Sequence, residues 1–253
     1  MLNRVLVFAY GVLSYAVFFA TFLYAIGFIG NLVVPVTIDG EPRSPLWQAL
    51  AIDALLLGVF AIQHSVMARP AFKRRWTKIV PEQAERSTYT LISSLLLIAL
   101  FAFWEPIGGV IWDVQDPVGR GLLFGLFGFG WALVLLSTFA INHFDLFGLR
   151  QVWLYLLGKP YQPLRFVTPG PYNLVRHPLY VGWFFAFWAT PTMTVAHLVF
   201  ALLTTAYILI AIQLEERDLA TAHPEYRAYR QRVPMLVPRL SGTSGKPPMT
   251  ESA

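Results

Sequence analysis

Residues 171–238 read PYNLVRHPLYVGWFFAFWATPTMTVAHLVFALLTTAYILIAIQLEERDLATAHPEYRAYRQRVPMLVP, and this stretch decides the fold. A polar cluster, RHPLYVG at 176–182, runs directly into an apolar segment. The chain turns at Pro191 and returns through a second apolar run that ends in LEERDL at 214–219. The pattern predicts a helical hairpin with His177 on one limb and the Glu215/Glu216 pair on the other, sharing one mouth. As helices, the outgoing limb (178–190) is about 20 Å long and the return (195–213) about 28 Å. A bilayer core is about 30 Å thick, so the two clusters are expected on one side but offset along the membrane normal. HPEYRAYRQRVPMLVP at 223–238 follows as an amphipathic C-terminal segment.

Outward from the hairpin, the composition agrees. Of the 253 residues 56% are hydrophobic and only 13% are Asp, Glu, Lys or Arg, against about 25% charged in soluble domains. Such a chain cannot cover its surface for water. Four more runs, 5–29, 46–67, 87–104 and 118–141, approach or exceed the roughly 20 apolar residues that cross a bilayer. The first is too long for a signal-peptide core and lacks a small-x-small cleavage site, so it is expected to be retained. The expected fold is an all-α integral membrane protein. It has four transmembrane helices and the C-terminal helical hairpin, five to six membrane segments in one domain (1–240), with a Ser/Thr/Gly/Pro-rich disordered tail at 241–253. Residues 144–157 carry Leu146, Leu149, Trp153, Leu156 and Leu157 at helical spacing and are expected to lie as one helix along the membrane surface.

With the N-terminus in the cytoplasm, all 19 Lys and Arg except Arg43 and Arg120 fall on the inner side. The pI of about 9.6 is thereby explained by topology, and no nucleic-acid partner is implied. The absence of cysteine excludes disulfides, Fe–S clusters and cysteine nucleophiles. No two histidines have the i, i+4 spacing of a helical metal site, so none is assigned. Gly121-x-x-x-Gly125 and Gly128-x-Gly130 are expected to allow close helix packing.

Under that topology the polar residues near membrane depth gather on one side. Gln63-His64-Ser65 end the second helix, Glu85-Arg86-Ser87-Thr88-Tyr89 begin the third, and Asn142-His143-x-Asp145 end the fourth. Tyr172, Arg176, His177 and Tyr180 open the hairpin; Glu215, Glu216, Arg217 and Asp218 close it. Interfacial caps and a juxtamembrane ion pair of Arg86 with Glu82 or Glu85 would account for part of this. Ionisable groups at such depth are costly unless paired or facing a wet cavity, and a convergent polar chamber accounts for all of it.

RHPLYVG, the Glu-Glu pair and the closing EYRAYRQRVPMLVP resemble the membrane methyltransferases that use S-adenosylmethionine, among them the isoprenylcysteine carboxyl and phospholipid N-methyltransferases. Over nearly the whole chain, QHSVMAR (63–69), ERSTY (85–89), NHFDLFGLRQVWL (142–154) and the segment 187–219 resemble the bacterial methanethiol S-methyltransferases. The resemblance implies a bacterial inner-membrane enzyme with cytoplasmic termini. It also implies S-adenosyl-L-methionine as cofactor, held by residues within 142–238, and a small thiol as acceptor, with membrane lipids around it. His177, Tyr180, Glu215 and Glu216 carry over as cofactor-binding candidates, joined by neighbouring Arg176 and Tyr172. A bound nucleoside is expected to fill the offset between His177 and Glu215. The acceptor thiol needs a base or a cationic stabiliser: His143 oriented by Asp145 first, Arg86 with Tyr89 second, His64 third. A lipid amine or prenyl-cysteine carboxylate as acceptor, and a non-enzymatic channel or sensor, are the competing readings.

Overall fold

The structure, a computed structural model, describes residues 1–239; the expected tail at 241–253 lies outside the described residues. Five helices are long and apolar enough to cross a membrane: α1 Leu2–Gly30, α2 Leu46–Ala68, α4 Glu82–Phe103, α5 Pro117–Ile141 and α9 Val195–Ala222. Shorter helices lie between and after them: α3 Pro70–Trp76, α6 His143–Leu146, α7 Leu149–Leu156, α8 Pro178–Trp188 and α10 Pro224–Arg232. The protein is an all-α integral membrane protein, and α8 is the short limb of the expected hairpin.

Local chemistry sets the ends of these helices. Asn31 closes α1 in the left-handed region (φ 53°), where its N–H reaches the Gly27 carbonyl. Asp116 caps α5 by accepting from Gly119 N, with Pro117 in the first turn. Thr194 caps α9 the same way, accepting from His197 N at 3.1 Å. Where α8 turns back into α9, residues Thr192–Thr194 form a strand, β2, paired antiparallel with β1, Val110–Asp113. This clip was not expected from the sequence. It ties the α4–α5 loop to the hairpin turn, with Trp112 Nε1 donating to Thr190 O at 3.1 Å.

The half-length α8 survives because it is backed along its length by α5. A Cβ on Gly130 would sit 2.7 Å from Gly182 O and 2.6 Å from Ala186 N, so the two backbones meet with no side chain between them. The expectation of close packing holds at Gly130. It fails at Gly121, Gly125 and Gly128, whose Cβ positions have nothing within 4 Å. At the end away from the polar clusters, Phe28, Phe101, Trp104, Phe187 and Phe200 form the core.

The helix expected over 144–157 is broken. Gly148 (φ 90°) separates α6 from α7 and backs onto Ser87, whose N would lie 2.7 Å from a Cβ there. On α7 the buried pair is Gln151 and Val152, and Val152 fills the notch left by Gly11 of α1. Trp153 and Leu157, two of the five stripe residues read from the sequence, are half exposed, as suits a face turned to the membrane. A helix beside lipid has two apolar directions, and the small residue on α1 chose the packed one.

Candidate active site

The mouth of the hairpin is built around Glu216, a carboxylate with side-chain exposure of 4%. Arg176 Nε donates to its Oε1 at 2.7 Å, His177 Nε2 lies 3.0 Å from the same oxygen, and Arg230 Nε of α10 lies 3.3 Å from Oε2. Arg176 spends its remaining reach on backbone, donating to Arg230 O (3.1 Å) and Val233 O (2.6 Å). The segment after α10 folds back so that Arg176 N donates to Pro234 O (2.8 Å) and His177 N to Met235 O (3.2 Å). The Tyr229 hydroxyl donates to Tyr172 O at 2.6 Å, and burial pushes its phenol up to about 12. RHP, the Glu pair and the C-terminal segment therefore form one clasp.

Glu215 is different from its neighbour. Its side chain is 42% exposed, it borders the large cavity described next, and its Oε2 accepts from Tyr180 Oη at 3.0 Å. His177 Nδ1 stands 3.9 Å from that oxygen. The two clusters are thus in direct contact, which corrects the expectation of a nucleoside-filled offset between them. The α9 helix continues past Gln213 to Ala222 and brings its carboxylates level with the start of α8.

A cavity of about 1010 Å³ opens beside this clasp. Its polar end is bordered by Tyr172, Arg176, His177, Tyr180 and Glu215 on one side and by His64, Arg86, Tyr89 and His143 on the other. Phe166 adds an aromatic shelf, with ring centroids 5.6 Å from His223, 5.7 Å from Tyr226 and 5.6 Å from Tyr229. Arg69, between α2 and α3, reaches over to Asp218 of α9, 2.7 Å away. The convergence of five polar clusters is what the structure shows.

Both cavity histidines are held in one tautomer by the same device. Ser93 donates to Gln63 Oε1 (3.2 Å), so it accepts from His64 Nδ1–H (3.2 Å) and leaves Nε2 to accept from Tyr89 Oη (2.9 Å). Thr138 donates to Leu135 O (2.6 Å), accepts from His143 Nδ1–H (2.8 Å), and leaves Nε2 to Tyr15 Oη (2.8 Å). The difference lies in the tyrosines: Tyr89 borders the cavity and Tyr15 does not. His143 is further covered by Phe139, stacked at 4.2 Å and 5°, and burial holds its imidazole below the ordinary range. Asp145 does not touch it. That carboxylate pairs with Arg150 (2.8 Å) and accepts from Tyr161 (3.3 Å), so the anticipated His143–Asp145 pair is not formed.

Arg86 places its guanidinium 5.9 Å from the Tyr89 ring centroid, and among the described residues no carboxylate lies within ion-pair distance of it. The alternative of an ion pair with Glu82 or Glu85 is not seen. Gln63 and Ser93, which fix the His64 tautomer, and Arg230, which completes the clasp, were missed as site residues. A signal existed for Ser93: Arg86, Tyr89 and Ser93 follow one another at helical spacing on α4. No group of three or more His, Cys, Asp or Glu placed to hold a metal ion occurs among the described residues.

A sequence profile described as phospholipid methyltransferase matches residues 122–225, the part containing most of α5 and all of α8 and α9. The chain is an integral membrane protein of the methyltransferase class, as its relatives bear out. The chain is 57% identical to the methanethiol S-methyltransferase of Crocosphaera subtropica, covering 96% of each sequence. It is 53% identical to the enzyme of that name from Mycobacterium tuberculosis, covering 94% of this chain and 98% of the relative. Against methanethiol S-methyltransferase 2 of Bradyrhizobium diazoefficiens the identity is 51%, over 95% and 93%. The chain belongs to the methanethiol S-methyltransferase family. No solved structure matches it significantly.

Proposed function

We propose that the protein transfers a methyl group from S-adenosyl-L-methionine to a small thiol, methanethiol giving dimethyl sulfide, at the polar end of the cavity on the cytoplasmic side. The observation that carries this reading is that one cavity joins the Glu215 clasp to the Tyr89–His64 pair. The names of the relatives support the thiol.

The donor set suits the cofactor. Glu215 offers a half-exposed carboxylate to an ammonium or to ribose hydroxyls, charge-assisted bonds being the strong ones. Phe166, partly exposed and backed by the buried Tyr226 and Tyr229, offers an aromatic surface to a purine. When bound, S-adenosylmethionine supplies an electrophilic methyl group on a sulfonium. On this reading Glu216, Arg176 and Tyr172 set the shape of the clasp, while Glu215, Tyr180 and His177 present it to the ligand.

On the acceptor side, Tyr89 takes the thiol proton at Oη while its own proton passes to His64 Nε2, the lone pair kept free by Gln63 and Ser93. Arg86, with no carboxylate partner among the described residues, balances the thiolate that forms. Most of the acceleration then comes from holding sulfur, methyl and leaving sulfur in line in a dry site. His143 serves as a wall residue that ties α6 to α1 through Tyr15.

The test is a headspace assay. Membranes bearing the protein, given S-adenosylmethionine and methanethiol, are expected to release dimethyl sulfide, and Glu215→Ala membranes to release far less. Cofactor binding without any dimethyl sulfide would defeat the thiol reading. Label from the cofactor appearing in extracted lipid would move the acceptor to a lipid amine. The inner-membrane orientation is tested by labelling single cysteines in this cysteine-free chain. Lys78→Cys should react only from the cytoplasmic side and Gly40→Cys only from the other; the reverse would overturn it.

A further inference from the structure

The cavity is far deeper than methanethiol requires. Along α4 it is bordered from Arg86 to Phe101 and along α9 from Glu215 to Phe200, about 22 Å on each helix at 1.5 Å per residue. Pockets for whole drug-sized ligands run about 300–1,000 Å³; at about 1010 Å³ this cavity lies at the top of that range, while a methanethiol acceptor adds only two heavy atoms to the cofactor. Beyond the polar end the walls are Ile29, Leu57, Phe101 and Phe200. The hydroxyls that border this arm do not serve a ligand: Thr21 donates to Val17 O (2.7 Å), Ser94 to Thr90 O (2.8 Å) and Thr204 to Phe200 O (2.6 Å). Each returns its hydrogen bond to its own helix, which leaves the arm apolar.

The arm also starts where an acceptor's substituent must go. On α2 it passes Gly58, about 9 Å deeper than His64 along the helix. A Cβ built on Gly58 has no neighbour within 4 Å. A sulfur at Tyr89 that faces the clasp can direct a hydrocarbon tail only down this arm, since the opposite direction holds the charged groups.

We infer that the arm is a subsite for the hydrocarbon tail of longer alkyl thiols, and that the enzyme's acceptor class is aliphatic thiols R–SH with methanethiol as its smallest member. This rests on the S-methylation reading above. The chemistry is unchanged: the S–H proton leaves to the Tyr89–His64 pair, a C–S bond forms to the donated methyl, and the donor sulfonium becomes a neutral thioether. Each methylene seated in the arm gains about three- to fourfold over water.

The bilayer alone would concentrate longer thiols, so the experiment reads a ratio within matched membranes. Rates at low substrate are measured for 1-hexanethiol and methanethiol with S-adenosylmethionine, and the methyl thioethers are identified by mass. The variants are Gly58→Phe, which fills the arm, Gly58→Leu, which fills it partly, and Gly121→Phe as control. Gly121 also has nothing within 4 Å, but it does not border the cavity. The hexanethiol-to-methanethiol ratio is expected to fall at least tenfold in Gly58→Phe, by less in Gly58→Leu, and to stay at wild type in Gly121→Phe.

An unchanged ratio in Gly58→Phe, or methylation of methanethiol but not hexanethiol by the wild type, overturns the tail subsite and leaves the methanethiol reading standing. Hexanethiol methylation without methanethiol methylation keeps the subsite and defeats methanethiol as substrate. Methylation of neither defeats both. If both Gly58 variants lose both rates while still binding cofactor, the arm is not separable from the methyl-accepting site, and the inference falls.

Discussion

Glu215 and Glu216 are adjacent in sequence, yet their replacement by glutamine is expected to fail in opposite ways. Glu216→Gln removes the one charge that faces Arg176 (2.7 Å), His177 (3.0 Å) and Arg230 (3.3 Å). Arg176 has a side-chain exposure of only 10% and, among the described residues, no other carboxylate within ion-pair distance, so its guanidinium is left buried and uncompensated. Breaking such a pair from one side costs about 3–5 kcal/mol. The amide still accepts one hydrogen bond, which puts the expected loss near 3 kcal/mol at the lower edge of that range. Glu215→Gln removes a half-exposed charge whose protein hydrogen bond is the one from Tyr180, and should cost no more than about 1 kcal/mol of stability. Its loss should appear in cofactor affinity, where a charge-assisted bond is worth about 1.5–3 kcal/mol, or roughly 10- to 150-fold in Kd. Thermal unfolding in detergent and S-adenosylmethionine titration on the same preparations separate the two. Wild-type unfolding of Glu216→Gln, or Glu215→Gln melting as early as Glu216→Gln with unchanged cofactor affinity, would refute the assignment of one carboxylate to the frame and the other to the ligand.

Tyr89→Phe should lower kcat with methanethiol by about 100-fold, within the range for a lost general base, while cofactor affinity holds. Tyr15→Phe, which alters the equivalent bond to His143 away from the cavity, should change kcat less than about threefold; equal losses would show that His143, and not His64, serves the acceptor. Gly182→Ala places a Cβ 2.7 Å from Gly130 O, where neither backbone can yield cheaply, and should destabilise by about 1–3 kcal/mol. In Gly121→Ala the open position should instead be neutral or slightly stabilising, as alanine is preferred in helices by up to about 1 kcal/mol; similar melting shifts in the two would contradict the α5–α8 contact. Burial lowers the pKa of His143 in the folded protein, whereas in the unfolded chain it takes a proton near pH 6.5. The unfolded state then binds more protons, so stability rises with pH through this window and is lost as pH falls below about 6.5. His143→Gln should flatten that slope in melts between about pH 5 and 7; an unaltered slope would assign the acid sensitivity elsewhere.

The sequence alone determined the membrane class, the helices long enough to span, and the gathering of polar residues at one set of helix ends. All three follow from composition and from runs of apolar residues, which act locally and need no partner to be read. It also placed RHPLYVG and the Glu pair at one mouth, because a hairpin brings its ends together whatever its tilt. Tertiary structure decided what no run of residues encodes. Which of two neighbouring glutamates is buried depends on which face of α9 meets Arg176 and Arg230. Both His64 and His143 border the cavity and carry matching hydrogen bonds, and only packing decides that the tyrosine on His64 borders it while the one on His143 does not. The Val152 notch on α1 and the β1–β2 clip arise from contacts between segments far apart in the chain, where a small residue or an unpaired backbone edge on one fixes the other. The depth of the cavity is of the same kind: each wall residue reads as ordinary membrane-helix apolarity, and only the packing of α1, α2, α4 and α9 around a shared space makes it a site.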